Sequence, residues 1–141
     1  MRGRFFLSTL LFAGLLLPLV SCNSSPSLTS ISIMPDGVTA MLGPCGDQQV
    51  VTNLKAIGSY THPGHAATTL DITDQVKWYS ANPQMVDFLN PTTQPGVATV
   101  TTCAETGLTG TFTTVVYASA PGFHGDVIGQ ITFGVTEPPT T

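Results

Sequence analysis

The chain has 141 residues, of which only 9 % are charged, and its formal net charge is −4 at pH 7. It contains four Lys and Arg residues in all, too few to neutralise the phosphates of a nucleic acid or to bind anionic lipid headgroups by charge. The length suffices for one domain with a hydrophobic core.

The N-terminal region has a pattern of its own. Arg2 and Arg4 precede an apolar stretch over residues 5–20, which ends in the run Leu19-Val20-Ser21-Cys22. A basic start, a short apolar core and small residues at the cut are the layout of a secretory signal peptide. The final four residues resemble the lipobox of bacterial lipoproteins, in which the chain is cut just before the cysteine and the thiol is acylated.

This resemblance implies that Cys22 becomes the first residue of the mature protein and carries lipid, palmitate included. It places the protein in the bacterial cell envelope, and Asn23 after the cysteine favours the outer membrane. An ordinary secretory signal and an uncleaved anchor remain as alternatives. The apolar stretch is shorter than the about 20 residues that a transmembrane helix needs, and Gly14 and Pro18 interrupt it, which disfavours the anchor.

After this leader the sequence is rich in Thr, Val, Gly, Ser and Pro. Short runs of alternating apolar and polar residues are separated by turn residues, and no segment keeps a helical period for three turns. This pattern predicts an antiparallel β-sandwich or barrel. In chain order, strands are predicted over residues 28–34, 38–42, 49–60, 76–80, 86–89, 97–102, 112–118 and 127–135.

Two of these strands supply much of the predicted core. The residues expected to point inward from the strand over 49–60 are Val51, Leu54, Ala56, Ile57 and Tyr60. The segments 61–70 and 120–126, which flank later strands, are predicted to be loops.

The strand over 76–80 contains the only tryptophan of the chain. Val76, Trp78 and Ser80 share its inward face, and the residues between them point outward. We expect Trp78 to be buried between two sheets with Tyr60 or Phe112 close by, because a large aromatic side chain gains most from a fully apolar environment.

Three runs of sequence, Leu28–Pro35, Ala56–Tyr60 and Asp71–Pro83, are similar to bacterial immunoglobulin-like domains of group 2. Such domains open with a serine-isoleucine strand and contain an acid-aliphatic-Thr motif followed by Trp-x-Ser-x-Asn; Gly96 and Gly110 stand where their later glycines occur. The resemblance implies an all-β, immunoglobulin-like antiparallel β-sandwich of seven to eight strands. Domains of this family occur in adhesins and in cell-surface enzymes.

These predictions divide the chain into a signal peptide (1–21), a tether (22–27), the sandwich (28–135) and a flexible tail (136–141). Lipidation of Cys22 leaves Cys45 and Cys103, an even number of cysteines in an oxidising compartment. In the immunoglobulin topology the strand predicted over 49–60 is strand B and the strand predicted over 97–102 is strand E, and B and E are antiparallel neighbours in one sheet. Cys45 precedes strand B and Cys103 ends strand E. We therefore expect a Cys45–Cys103 disulfide, which would contribute about 4 kcal/mol.

The histidines are the only candidates for a ligand site. His62 and His65 fall in one predicted loop and His124 and Asp126 in another, and these loops share one pole of the immunoglobulin sandwich. Imidazole and carboxylate groups bind zinc. However, a His62-x-x-His65 spacing on a loop with Gly and Pro does not fix the relative positions of the two rings. We therefore favour the interpretation that these are solvated loop histidines. The chain has no Gly-x-Ser-x-Gly, His-Glu-x-x-His or phosphate-loop motif, and we expect no enzymatic activity and no cofactor.

Two functions follow as hypotheses. The first is a lipid-anchored, non-catalytic module of the cell envelope that serves structure, adhesion or binding of an envelope or extracellular protein. The alternative is a surface lipoprotein that binds a small ligand or metal through the histidine loops. In the immunoglobulin topology the first strand begins at the pole of those loops. A lipid a few residues before Leu28 would therefore turn that pole toward the membrane and leave the sheet faces and the opposite pole to partners.

Overall fold

The computed structural model describes residues 25–41, 49–51, 54–88, 93–100 and 110–137, and all regular structure within them is β. The predicted all-β class is thereby confirmed. The strands are β1 (Ser27–Met34), β2 (Val38–Met41), β3 (Gln49–Val51), β4 (Lys55–Thr61), β5 (Thr68–Asp71), β6 (Lys77–Ser80), β7 (Val86–Asp87), β8 (Ala98–Val100), β9 (Gly110–Gly122) and β10 (Gly125–Glu137). The signal peptide, Cys22, Cys45, Cys103 and residues 138–141 lie outside the described residues.

The strands build the two layers of an immunoglobulin-like sandwich. One layer contains the sheets β1-β4-β5 and β3-β8-β7, in which β3 and β4 are successive parts of the strand predicted over 49–60. The other layer is the sheet β2-β10-β9-β6. This arrangement matches the separation of strands A, B, E and D from C, F and G in the immunoglobulin fold.

The first strand is divided between the layers. β1 pairs antiparallel with β4, and after the bend at residues 35–37 the chain crosses over so that β2 pairs parallel with β10. Where β1 passes β10 the backbones approach closely: a Cβ atom added at Gly129 would lie 2.5 Å from the carbonyl oxygen of Ile31. Gly129 therefore lets the two layers meet along this edge.

The core lies between the layers, as predicted, and Trp78 lies in it. The Trp78 side chain is 3 % exposed, and its indole stacks on Phe88 with ring centroids 5.5 Å apart. The burial confirms the predicted strand face, but the stacking partner is Phe88 rather than Tyr60 or Phe112. Phe88 follows β7 in the opposing layer, so the aromatic pair joins the two layers across the core.

The structure corrects the prediction for residues 49–61. Leu54 and Ala56 are buried, but Ile57 is only half-buried because strand alternation turns it away from the face that carries Ala56. Tyr60 is partly buried and packs against the core. Val51 lies in β3, whose side chains fall outside the described part of the structure.

Two predicted loops are shorter than expected. The segment 61–70 contains β5, an edge strand whose four residues are all exposed, so no apolar alternation marked it as a strand. In the segment 120–126, β9 continues to Gly122 and β10 begins at Gly125, where φ is 127°. Phe123 and His124 alone form the turn of this hairpin. The positive φ angle at the end of the turn falls on Gly125, and glycine adopts such an angle without strain. β10 also includes Thr136 and Glu137, which were predicted to belong to the flexible tail.

Candidate functional site

The outward face of the sheet β2-β10-β9-β6 carries a pair of aromatic side chains. Tyr79 of β6 and Tyr117 of β9 are directly paired across the sheet, and their rings stack at a centroid distance of 4.9 Å and an angle of 15°. Both side chains are half-buried. They point outward because their neighbours Trp78 and Ala118 point into the core.

Apolar and polar side chains surround the tyrosine pair. In the adjoining row of the sheet, Lys77 pairs with Ser119 and Ser119 with Ile128, and Ile128 is 54 % exposed. Gln130 pairs with Tyr117 on its other side. We call this surface the tyrosine face; it consists of Lys77, Tyr79, Tyr117, Ser119, Ile128 and Gln130.

The chemistry of the tyrosine face suits contact with another protein. Tyrosine gives a large, rigid contact area together with a hydroxyl group that tolerates water, which is why it is enriched in interfaces. Stacking holds both rings in place before a partner arrives, so little side-chain entropy is lost on binding. Lys77 adds a single cation at the rim, where charge directs a partner more than it strengthens the contact.

The outward face of the other layer has a different composition. This serine face consists of Ser30, Ser32, Ile57, Ser59, Thr69 and Asp71, with the paired Met34 and Lys55 at one end of the sheet. Ser30 pairs with Ser59 and Ser32 with Ile57, so small polar side chains cover most of it. Its only ion pair among the described residues joins Lys55 and Asp71 at 3.6 Å, with both side chains half exposed or more. Such an exposed pair contributes little to stability.

The acid-aliphatic-Thr motif of the sequence has a structural role. The carboxylate of Asp71 accepts hydrogen bonds from the backbone N–H of Thr73 at 3.1 Å and from its hydroxyl at 2.5 Å. The same hydroxyl accepts a bond from the N–H of Ala56 at 3.0 Å, while Ile72 is 1 % exposed. The motif therefore fixes the chain where it leaves β5 for the opposite layer.

Trp78 completes this network. Its Nε1–H donates a hydrogen bond of 3.0 Å to the carbonyl oxygen of Thr73, which satisfies the only polar atom of the buried indole. The hydrogen bonds from Thr73 and, to a smaller extent, the charge of Lys55 lower the pKa of the Asp71 carboxyl below its ordinary value. The Asp71 side chain is half exposed, and its hydrogen bonds to Thr73 give it a structural role in the motif.

The histidine loops lie at the pole where β1 begins, as predicted. Thr61, directly before His62, pairs with Ser27 at the start of β1. The rings of His62 and His65 meet edge-on at 4.7 Å, whereas the His124 ring packs against Phe123 at 4.8 Å. In the described ranges, no three His, Cys, Asp or Glu side chains lie together as a metal site requires. The geometry therefore does not assemble the four candidate ligands, which include Asp126, into one site.

A shallow cleft also opens at this pole. It has a volume of about 310 Å³ and lies between the start of β1, at Ser27 and Leu28, and the tip of the β9–β10 hairpin, at Phe123 and His124. The sequence predicted that residues 120–126 and the start of the first strand share a pole, but it did not predict the hairpin tip or the cleft beside it. The cleft shows that the N-terminal tether leaves the domain beside the hairpin tip.

The chain was compared with known proteins by two searches. No protein-family model matches it, and no curated protein matches it. Within the described residues, no helix has the length and apolar character needed to cross a membrane. The functional argument therefore depends on the residues of the chain and on their geometry.

Proposed function

We propose that this protein is a lipid-anchored, non-catalytic interaction module of the bacterial cell envelope, built on a group 2 bacterial immunoglobulin-like domain. It binds another envelope protein or an extracellular protein through the tyrosine face. The observation that carries this proposal is the stacked Tyr79–Tyr117 pair beside the exposed Ile128, which together place aromatic and aliphatic side chains at the centre of one sheet face.

The anchor belongs to the proposal because of the sequence before β1. Cys22 of the lipobox-like run precedes Ser27 by five residues. Cleavage and acylation at Cys22 would join the lipid to the sandwich through a short polar tether. Two acyl chains suffice for stable membrane attachment, and the protein would need neither a transmembrane helix nor a basic patch.

A Cys45–Cys103 disulfide is the second covalent element of the proposal. Gln49 of β3 pairs with Val100 of β8 in an antiparallel register. Cys45 precedes Gln49 by four residues and Cys103 follows Val100 by three, so the pairing leads toward both cysteines from the same end. Blocked thiols before reduction and a mass increase of two hydrogens afterwards would support the bridge, whereas free thiols in exported protein would contradict it.

The partner is expected to present a flat apolar patch with an acidic rim. The centre of the tyrosine face is aromatic and aliphatic and lies on the surface of a sheet, which suits a flat protein surface better than a small molecule. A carboxylate on the partner would find Lys77 at the rim, since long-range attraction orients an approaching protein.

Site-specific photocrosslinking in intact cells tests the binding surface. A benzophenone amino acid replaces Tyr117 in one variant and Ser32, on the serine face, in a matched control. We expect a discrete crosslinked species from position 117, its loss when Ile128→Asp is added, and no such species from position 32. No crosslink from position 117, or equal crosslinks from both positions, would contradict the proposal.

A further inference from the structure

The tip of the β9–β10 hairpin exposes a large apolar side chain. Phe123 is 81 % exposed, more than Met41 at 72 % or Ile128 at 54 %. Two-residue hairpin turns favour Gly, Asn and Asp, and here the left-handed backbone conformation falls on Gly125. The turn therefore does not require a phenylalanine, and its exposed ring is available for contact with another apolar phase.

The position of the tip relates it to the proposed lipid. Phe123 and Ser27 line the same cleft, so the tether begins beside the hairpin tip. Cys22 precedes Ser27 by five residues, and five extended residues span at most about 17–18 Å. A lipid on Cys22 thus holds this pole within reach of the membrane surface, where an interfacial side chain enters about 5–10 Å deep.

We propose that Phe123 inserts into the headgroup region of the membrane and orients the domain, with the hairpin tip toward the lipid. This proposal rests on the proposed lipidation of Cys22. We infer a lipid surface rather than a protein as the partner of Phe123. The five residues between Cys22 and Ser27 hold the hairpin tip near the bilayer and leave little space for a protein between the tip and the membrane.

The local charge defines the kind of lipid surface. Residues 121–127 contain no Lys or Arg, and Asp126 is their only acidic residue. Insertion therefore depends on the apolar ring rather than on attraction to anionic headgroups. Zwitterionic phosphatidylcholine is sufficient, and high salt leaves the insertion unchanged.

Tryptophan fluorescence in brominated vesicles tests the insertion. The full-length lipidated protein is reconstituted into phosphatidylcholine vesicles with and without bromine on the acyl chains, as wild type, Phe123→Trp and Met41→Trp. Met41 is a matched control because it is exposed but pairs with Thr136, eleven positions along β10 from Gly125. The buried Trp78 of the wild type supplies the background emission.

We expect the emission added by Phe123→Trp to shift to shorter wavelength on reconstitution and to be lost in brominated vesicles, at low and at high salt. The emission added by Met41→Trp should persist. A form of Phe123→Trp that carries Cys22→Ser and lacks residues 1–21 has neither the apolar leader nor the tether lipid, and it should show no quenching.

The arms of this experiment separate two failures. If the wild-type protein does not float with the vesicles, the lipidation of Cys22 is wrong and the insertion proposal falls with it. If the protein floats but the two added tryptophans are quenched equally, or neither is quenched, only the insertion of Phe123 is overturned. A partner protein over the tip, rather than lipid, would give this second result.

Discussion

The two outward faces of the sandwich share a backbone architecture and differ in their side chains. On the serine face, Ser30 lies opposite Ser59, Ile57 is half-buried, and the exposed apolar residue, Met34, lies at the end of the sheet. On the tyrosine face, Tyr79 and Tyr117 stack at 4.9 Å and Ile128 is 54 % exposed. Folding accounts for the first composition, because small polar residues are sufficient on a solvated face.

The tyrosine face needs a second explanation. β-branched or polar residues would maintain the strands equally well, and the core beneath is already filled by Trp78 and its neighbours. Because these side chains favour binding, we propose that the tyrosine face is the binding surface. Stability measurements can test this distinction, because residues of the core network and of the tyrosine face should respond differently to substitution.

The largest effect is expected in the core. Trp78→Ala should lower the free energy of unfolding by about 3–5 kcal/mol, because it removes the stack on Phe88 and the hydrogen bond to Thr73. Urea denaturation followed by circular dichroism measures the change. A loss below about 1 kcal/mol, the range of surface residues, would show that Trp78 does not join the layers.

A smaller effect is expected where the chain crosses between layers. Thr73→Val keeps the shape of the side chain but removes the hydroxyl that bonds Asp71 and the N–H of Ala56, and should cost about 1–3 kcal/mol. Thr73→Ser retains the hydroxyl and is the matched control. No loss of stability for Thr73→Val, or a larger loss for Thr73→Ser than for Thr73→Val, would show that the hydrogen bonds of the hydroxyl do not stabilise this crossing.

Tyr117→Ala should have only a modest effect on folding. A stacked cross-strand pair on a solvated face contributes about 0.5–1.5 kcal/mol, well below the expected cost of Trp78→Ala. Ser59→Ala on the serine face should stay within about 0.5 kcal/mol. If Tyr117→Ala destabilised the protein as much as Trp78→Ala, the tyrosine face would be part of the folding core and the contrast between the faces would disappear.

The smallest effect is one of pH. The pKa of the Asp71 carboxyl is lowered in the folded protein, so ionisation of this group stabilises the fold. The stabilisation is complete at a pH above the ordinary pKa of an aspartate, about 4, and is lost as the pH falls through the lower pKa of the folded protein. Thermal unfolding of Asp71→Asn should therefore depend less on pH in this acid range than unfolding of the wild type. An acid slope of Asp71→Asn equal to that of the wild type would contradict this assignment.

Alternation in the sequence was enough to predict the inward face of β6, because a run with Trp78 between polar residues has only one face to bury. The same rule misplaced Ile57, since Ala56 and Ile57 are both apolar and alternation alone does not choose between them. β5 was missed for the opposite reason: all its residues are exposed, and its strand conformation comes from pairing with β4.

The candidate surfaces depend on contacts that no local pattern contains. Tyr79 and Tyr117 lie 38 positions apart in the chain, and they meet only because β6 and β9 pair in one particular register. The place of Phe123 beside Ser27 likewise follows from the packing of the hairpin against β1. For the histidines, the sequence predicted the shared pole but not the separation of the His62–His65 pair from His124.

Lipidation of Cys22 is the claim on which the orientation of the domain and the use of its faces depend. Metabolic labelling with an alkyne analogue of palmitate, followed by membrane fractionation of wild type and Cys22→Ser, tests it directly. We expect the label only on the wild type, in the membrane fraction, and unlabelled Cys22→Ser protein that is not cleaved at the lipobox. Equal labelling of both proteins, or an unlabelled wild type in the soluble fraction, would contradict the account.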